Sequence, residues 1–550
     1  MSSHHISIWR RSSNKLRQSE VWLECFCLIG LLVAALVLFL VNLSDLPLLD
    51  AREATIAQVA KEIFYSRDLI DWIFPTLWNR PYLAQPPLIH DLIAIAYRLG
   101  GVNELTARFP GALLGAFSVL LIYQIGRELF VARLPALFSA LVYLTCLPVV
   151  RYSRLATMDG PLLFFLLLTI LAVLRSRRNL QWTLGIGIGI GLMGLTQSLL
   201  ALQAIAIVLL FLAWDTPRLV SSVYFWKGLL FGALPSLIWH MAFFIRYHPL
   251  ATEHQLLNLF LAQTQQYESL PELPAGYYLL QAAQYILPWL AIMFAGVQLI
   301  QHNLHWGWGK LLAVWLGGYL ILGSILSAID AWLILSLYPA LALAAGKQLD
   351  RIYNLPSSLI YPRSWIYSFA AMAILAAMGG LNWGVNYVDF YLPFICGSLC
   401  ITFAATAIVI AQRDKQFISL LFWGLLVSLF LLVVSPHWIW ELGISESVKP
   451  VAELVKQHIP PQVNIYGSTA AARPSLNFYS DRQIVPQSIS QLQSHWQQDS
   501  VVYLLLDIQT FQQLGLPKTA EIEDKRLKSL GWIVAVKNQS SVLADFNSNL

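Results

Sequence analysis

The chain has 550 residues, 57% hydrophobic and only 12% charged, with a formal net charge of +5. Charge at roughly half the usual share excludes a soluble enzyme, and so small a net charge over this length implies no nucleic-acid partner. The long apolar runs mark a polytopic membrane protein instead. All five cysteines (Cys25, Cys27, Cys146, Cys396 and Cys400) fall within apolar runs, with no Cys-x-x-Cys and no Cys/His cluster. Neither a zinc knuckle nor a disulfide framework is expected.

Residues 1–20 are polar, with Arg10, Arg11, Lys15 and Arg17, and read as a cytoplasmic N-terminus. The run 21–41 is long enough to cross a bilayer. It is too long for the apolar region of a signal peptide and lacks the small-residue cleavage pattern, so it reads as an uncleaved first span. A polar and aromatic loop follows, from Asp45 to Gly101. Its periodicity predicts one amphipathic helix carrying Ile56, Val59, Ala60, Ile63 and Phe64, with Glu53, Lys61 and Glu62 on the other face. A second starts at Pro86-Pro87 and carries Leu88, Ile89, Leu92, Ile93 and Ala96. Short one-sided helices suit a membrane surface, and Trp72, Pro75, Trp78 and Tyr82 between them suit the water–lipid boundary.

Further apolar runs lie at about 111–126, 133–150, 160–174, 182–196, 198–214, 228–245, 276–300, 311–328, 331–346, 365–384, 390–411 and 417–435. With the first they predict about thirteen spans. Arg127, Arg133, Arg175, Arg177, Arg178, Arg218, Lys227, Lys310, Lys347, Arg351, Arg363, Arg413 and Lys415 then share one side, the cytoplasmic one. The first loop, the 247–275 loop with Glu253, Glu268 and Glu272, and the C-terminal part share the other. Gly189, Gly191 and Gly194 spell a formal GxGxxG, but within an apolar run and with no strand before it. Close helix packing is the expected reason.

From Ser435 prolines, glutamines and charges return. A helical pattern at about 447–458 precedes short β-branched runs at 463–466, 501–506 and 532–536, which predicts a small α/β domain of roughly 110 residues. The expected division is a cytoplasmic segment at 1–20, a transmembrane domain at 21–435 that includes the first outer loop at 42–110, and an extracytoplasmic α/β domain at 436–550. The fold class is mainly α.

Several segments carry a resemblance. They are Ala57-Gln58-Val59-Ala60-Lys61-Glu62-Ile63, Asp71-Trp72, Pro81-Tyr82-Leu83, Pro86-Pro87-Leu88 and Arg108-Phe109-Pro110, in that order. Together they resemble the first loop of the GT-C polyprenyl-phosphate-sugar glycosyltransferases, which include protein O-mannosyltransferases and lipid A aminoarabinose transferases. The stretch Arg151-Tyr152-Ser153-Arg154-Leu155-Ala156-Thr157-Met158-Asp159-Gly160 matches the family's second outer segment. Arg473 to Ser480, and Tyr338 to Leu343 behind Asp330-Ala331-Trp332, resemble segments of bacterial members.

The resemblance implies transfer of a sugar from a polyprenyl-phosphate to an acceptor hydroxyl outside the membrane, in lipid A or other cell-envelope glycosylation. Such a reaction needs a carboxylate for the acceptor proton and cationic groups for the departing phosphate. The family's Asp-Glu pair falls on Arg52-Glu53 here, with Asp50 two residues upstream, so Asp50 and Glu53 are the candidate bases. Helix capping is the structural alternative for both. Asp159 is a candidate second acid or acceptor-orienting group. Arg151, Arg154, Arg52 and Arg80 are candidate donor-phosphate ligands, with surface ion pairing or headgroup anchoring as the alternative. Tyr82, Gln85, Trp332 and Tyr338 are expected along the lipid and substrate cavity.

The chain departs from the family where lysines are expected. Ala84-Gln85-Pro86-Pro87 replaces acid-Lys-Pro-Pro, and Leu195-Thr196-Gln197-Ser198 stands where relatives carry Thr-Lys-Gly. These losses, with Arg52, motivate a second reading: a non-catalytic relative that binds polyprenyl-phosphate lipid or assists an active partner. A transporter would show inverted repeats and broken helices at mid-membrane, whereas the polar residues here cluster outside. His90, His240 and His248 lack metal-ligand spacing and read as structural or interfacial. No cofactor is implied, and no motif decides whether a divalent ion takes part. The expected partners are a polyprenyl-phosphate sugar and membrane lipids, with a lipid, a glycan or a protein as acceptor.

Overall fold

The computed structural model describes residues 2–247, 286–325, 335–355, 361–386, 389–439, 448–460, 463–498, 501–516 and 525–537. The chain divides into two compact units. One comprises Met1–Leu43, Leu83–Leu92 and Arg108–Trp438; the other comprises Ser44–Tyr82, Ile93–Ala107 and Ile439–Leu550.

The first unit is helical. Among the described residues, eight helices are long and apolar enough to cross a membrane: Val21–Leu40, Glu104–Leu129, Asp159–Ser176, Ser198–Asp215, Val223–Tyr247, Arg363–Gly384, Tyr391–Ala411 and Phe417–Val434. Only 11% of the most apolar window of Arg363–Gly384 is buried in protein, and 17% of that of Val223–Tyr247. Apolar faces left bare in this way are what helices bathed in lipid present, so the chain is an integral membrane protein. Each predicted apolar run carries a helix, although those at 276–300 and 331–346 are described only from residues 286 and 335. Trp182–Gly194 and Leu290–His302 are shorter than a full span.

A further apolar helix pair is sharply bent. Arg133–Leu144 and Leu147–Ser153 meet at 60°. Pro148 has no N–H to return to the carbonyl one turn earlier, so the ladder is interrupted there. Beside the break, the Thr145 hydroxyl donates to Leu141 O (2.7 Å) and receives the Trp289 indole N–H (3.1 Å). Helices Trp182–Gly194 and Val223–Tyr247 approach closely through small residues, as the glycine stripe predicts. A Cβ on Gly187 would fall 2.5 Å from Leu229 O, and one on Gly232 2.5 Å from Ile188 N.

The second unit holds a two-stranded hairpin, β1 (Thr76–Leu77) and β2 (Arg80–Pro81), and a four-stranded sheet. The sheet strands are β3 (Ile465–Gly467), β4 (Ile484–Pro486), β5 (Tyr503–Asp507) and β6 (Trp532–Val536), in the order β4-β3-β5-β6. β3 runs parallel to β4 and β5, and β6 antiparallel to β5. Alternate residues feed two cores. Ile465, Tyr503, Leu505 and Val534 pack with Val451 and Val455 of the helix Val448–His458, while Leu504, Leu506 and Ile533 pack with Leu492 and Phe511. Sequence reasoning misses β4, a three-residue edge strand that ends on a proline.

Two expectations change here. The loop helix Thr55–Tyr65 forms where the periodicity places it, but Gln58 and Lys61 are buried along with its apolar residues. Lys61 Nζ donates to Phe478 O (3.0 Å) and pairs with Asp481, both at the helix Pro474–Ser480. Protein therefore covers the face that was expected to meet water above a membrane surface. The domain boundary at 436 also shifts, because most of the first outer loop belongs to the same compact unit as the C-terminal segment.

Candidate functional site

In the membrane unit, the second outer segment is wedged against the helix Glu104–Leu129. A Cβ on Gly160 would fall 2.7 Å from Gly111 O, so glycine is what lets the two backbones touch. This contact fixes Asp159 at the first turn of Asp159–Ser176, where the helix dipole favours a carboxylate. Asp159 is buried and its Oδ2 accepts from the Thr157 hydroxyl at 2.8 Å. Arg151, also buried, sits in the last turn of Leu147–Ser153, the end that favours a cation.

Arg154 does something sequence reasoning did not assign. Its fork donates to Leu38 O (2.7 Å), Phe39 O (3.3 Å) and Asn42 O (3.1 Å). Leu38 and Phe39 end the first helix, whose last carbonyls have no helical N–H left to accept from. Arg108 donates likewise to Leu43 O at 2.8 Å. The buried indole of Trp438 lies 4.4 Å from the Arg154 guanidinium and 5.2 Å from that of Arg108. Burial, and then the like charge of Arg108, lower the Arg154 pKa to about 9, which leaves it protonated at neutral pH. Its donors cap the first span. Asn42 beside it donates to Val433 O (3.2 Å) and Val434 O (3.0 Å) at the end of Phe417–Val434.

The segments that carry glutamine in place of lysine are joined. The Leu88 N–H, three residues past Gln85, donates to Leu195 O (3.2 Å), two residues before Gln197. Gln197 is buried as the residue preceding the helix Ser198–Asp215, and Gln85 is half-buried. His90 is fully buried, and burial lowers its pKa to about 4 against the opposing bonds to the Pro86 and Pro87 backbone, so it is neutral. Next to it, Asp91 Oδ1 is buried without a partner among the described residues, and burial raises the Asp91 pKa to about 7.

Asp91 therefore weakens the fold in a pH-dependent way. The group binds its proton with a pKa of 3.8 when unperturbed and about 7 when folded. Stability falls as pH rises through that window and stays reduced above it. Asp91→Asn is expected to gain about 2–4 kcal/mol at pH 8 and clearly less at pH 5. Thermal unfolding at the two values checks this, and equal gains at both would refute it.

In the other unit, the loop helix starts with a π-turn, Asp50–Ala54, in which Ala54 N–H reaches Leu49 O at 2.9 Å. Such turns cluster at functional positions. Glu53 is fully buried, and its Oε2 accepts the Leu49 N–H at 2.9 Å. This is the capping alternative, realised. Asp50 differs: its side chain is 29% exposed, Oδ2 accepts from Arg473 Nε (3.1 Å), and Oδ1 accepts from the Ser475 N–H (3.2 Å) and hydroxyl. Arg52 is half-buried, Arg80 is exposed on β2, and Tyr82 is buried with its N–H on Pro75 O (2.9 Å). Tyr338 is buried at the start of Tyr338–Tyr353 in the membrane unit, and Trp332 lies outside the described residues, as does the 247–275 loop. Among the described residues no group of three or more His, Cys, Asp or Glu side chains converges as a metal site.

Comparison with known proteins places this architecture. Residues 84–239 match the family model for dolichyl-phosphate-mannose-protein mannosyltransferases. An undecaprenyl phosphate-alpha-4-amino-4-deoxy-L-arabinose arabinosyl transferase from Pseudomonas paraeruginosa is 27% identical over 309 residues, 52% of this chain and 53% of that one. Its namesake from Pectobacterium carotovorum is 25% identical over 72% of each chain. For the first of these, the match spans about half the relative's length. The crystal structure of ArnT from Cupriavidus metallidurans bound to undecaprenyl phosphate has the same fold, with a TM-score of 0.70 at 19% identity, covering 93% of this chain and 98% of that one.

Proposed function

We propose that the chain is a GT-C polyprenyl-phosphate-sugar glycosyltransferase, as its partial family match, its relatives and its fold support, and that it moves a sugar from a polyprenyl-phosphate donor to an acceptor hydroxyl on the outer face of the membrane. The observation that carries this reading is the Asp50 carboxylate, part-exposed and fixed by Arg473 and Ser475 at the start of the first loop helix. A general base has to be oriented and has to touch its substrate. Asp50 is oriented and part-exposed, whereas Glu53 is buried and accepts the Leu49 N–H.

In this mechanism Asp50 takes the acceptor hydroxyl proton as the oxygen attacks the anomeric carbon. The bond from that carbon to the phosphate oxygen breaks, and its electron pair leaves on the polyprenyl phosphate. A single displacement inverts the anomeric centre. Arg151 holds the phosphate with help from Arg52 and Arg80, since guanidinium forks match phosphate geometry. Asp159 orients the acceptor. Tyr82, Gln85 and Tyr338 are assigned to the path of the lipid by the resemblance. Undecaprenyl phosphate, named for the arabinosyl transferases and bound by the solved neighbour, is the donor lipid this reading favours. The reading also keeps about thirteen spans, an odd number, with the N-terminus cytoplasmic and the sheet-bearing C-terminal domain outside.

The test uses the full chain purified into lipid nanodiscs with radiolabelled undecaprenyl-phosphate sugars and a membrane extract as acceptor source. Release or transfer of label is the expected result. Donor binding without turnover across the panel would overturn it and favour a non-catalytic lipid-binding relative, the reading that Arg52, Ala84, Gln85 and Gln197 motivate.

A further inference from the structure

Beside the loop helix Thr55–Tyr65 lies a polar cavity of about 560 Å³, lined by Gln58, Lys61, Glu62, Tyr65, Asp71 and Asp481 among others. That volume falls within the usual range for small-molecule sites. Gln58 is only 6% exposed. Its Nε2 donates to Glu62 Oε1 (3.2 Å), while its Oε1 is buried with no partner among the described residues. A buried amide oxygen without a donor is costly, and a ligand N–H or O–H brought to the wall, with a small turn of the side chain, satisfies it.

The surrounding groups are held still. Glu62 accepts from the Thr76 hydroxyl (2.9 Å) and the Trp78 N–H (2.7 Å), which locks it to the β1–β2 hairpin. Asp71 accepts from the Ser66 hydroxyl (2.5 Å). Asp481 is shared between Lys61 and Lys456. Three carboxylates thus face one lining lysine, and each carboxylate oxygen has lone pairs beyond those already used. Such a wall takes a ligand rich in hydrogen-bond donors and repels anions. Tyr65, 67% exposed, offers a ring face at the rim.

We propose that this cavity is a sugar-binding subsite for a neutral or amine-bearing sugar ring. It rests on the function proposed above only for which substrate, acceptor or donor, brings the sugar. A phosphate or a uronic acid is excluded by the same carboxylates that accept from hydroxyl and ammonium groups.

The test is saturation-transfer NMR on the full chain in nanodiscs with D-glucose, D-glucosamine and D-glucuronate. Binding of the first two is expected, with glucuronate at least fivefold weaker. Gln58→Met and Asp71→Asn should each weaken glucosamine binding at least tenfold, while Asp50→Asn leaves it unchanged and lowers only turnover. Absence of binding, equal binding of all three sugars, or binding that survives both cavity variants in chains of wild-type thermal stability overturns the subsite. Turnover of a polyprenyl-phosphate sugar without sugar binding here defeats the subsite alone; sugar binding without turnover defeats the proposed reaction alone. If Gln58→Met raises the KM of the acceptor, the acceptor's sugar occupies the cavity, and if it raises that of the donor, the donor's does. A variant that moves neither refutes the assignment.

Discussion

Asp50→Asn is expected to lower kcat by a factor of about 10²–10⁴, the usual contribution of a positioned general base, with donor binding unchanged. The amide keeps the shape and the bonds from Arg473 and Ser475 to one oxygen, but cannot take a proton. Glu53→Gln provides the contrast. Its loss falls on a cap, so it should cost about 1 kcal/mol of stability and little rate. Arg473→Met should reduce kcat less than Asp50→Asn, because Asp50 keeps its Ser475 bonds. Single-turnover kinetics beside equilibrium donor binding separate these outcomes. A rate lost in Glu53→Gln and kept in Asp50→Asn would reverse the assignment of the base.

The second large effect is on the fold. Arg154→Met should destabilise the chain by about 3–5 kcal/mol, because it strands the buried carbonyls of Leu38 and Phe39, each worth roughly 1–3 kcal/mol when left unmet, and the part-buried one of Asn42. It also removes one of the two guanidiniums at the Trp438 ring. Arg154→Lys should recover only part, since an ammonium cannot span three carbonyls as a planar fork does. Thermal unfolding measures both. Unchanged stability with donor binding lost would return Arg154 to the phosphate role that its sequence position suggests.

The helices of the membrane unit are legible because a long apolar run states both its conformation and its surroundings, residue by residue. The first-loop helix is legible from the helical spacing of Ile56, Val59, Ala60, Ile63 and Phe64, all of which fall within Thr55–Tyr65. What escapes sequence reasoning is set by distant partners. Arg154 finds its acceptor 116 residues back, and Asp50 its guanidinium 423 residues ahead. Nothing local marks Arg154 as the arginine that caps the first helix. Lys61 reads as part of a wetted face because its partners Phe478 and Asp481 lie more than 400 residues on. The resemblance of Arg473 to Ser480 to bacterial relatives marked that segment, but only the fold shows it holding Asp50. Trp438 carried no signal, since an indole between two arginines looks like any aromatic residue at a span end until the arginines arrive.

The Asn42 bonds bear on how the protein is made. The end of the first span is held by Arg154 and, through Asn42, by the close of the last long helix, 391 residues later. At about 5–20 residues per second of synthesis, that closure waits roughly 20–80 s after the first span has left the ribosome. In the meantime Arg154 caps the first span alone, and a chain cut short before residue 433 would carry a first helix without that clasp. Truncation products of this protein should therefore be good substrates for membrane quality-control proteases, while the finished chain is not.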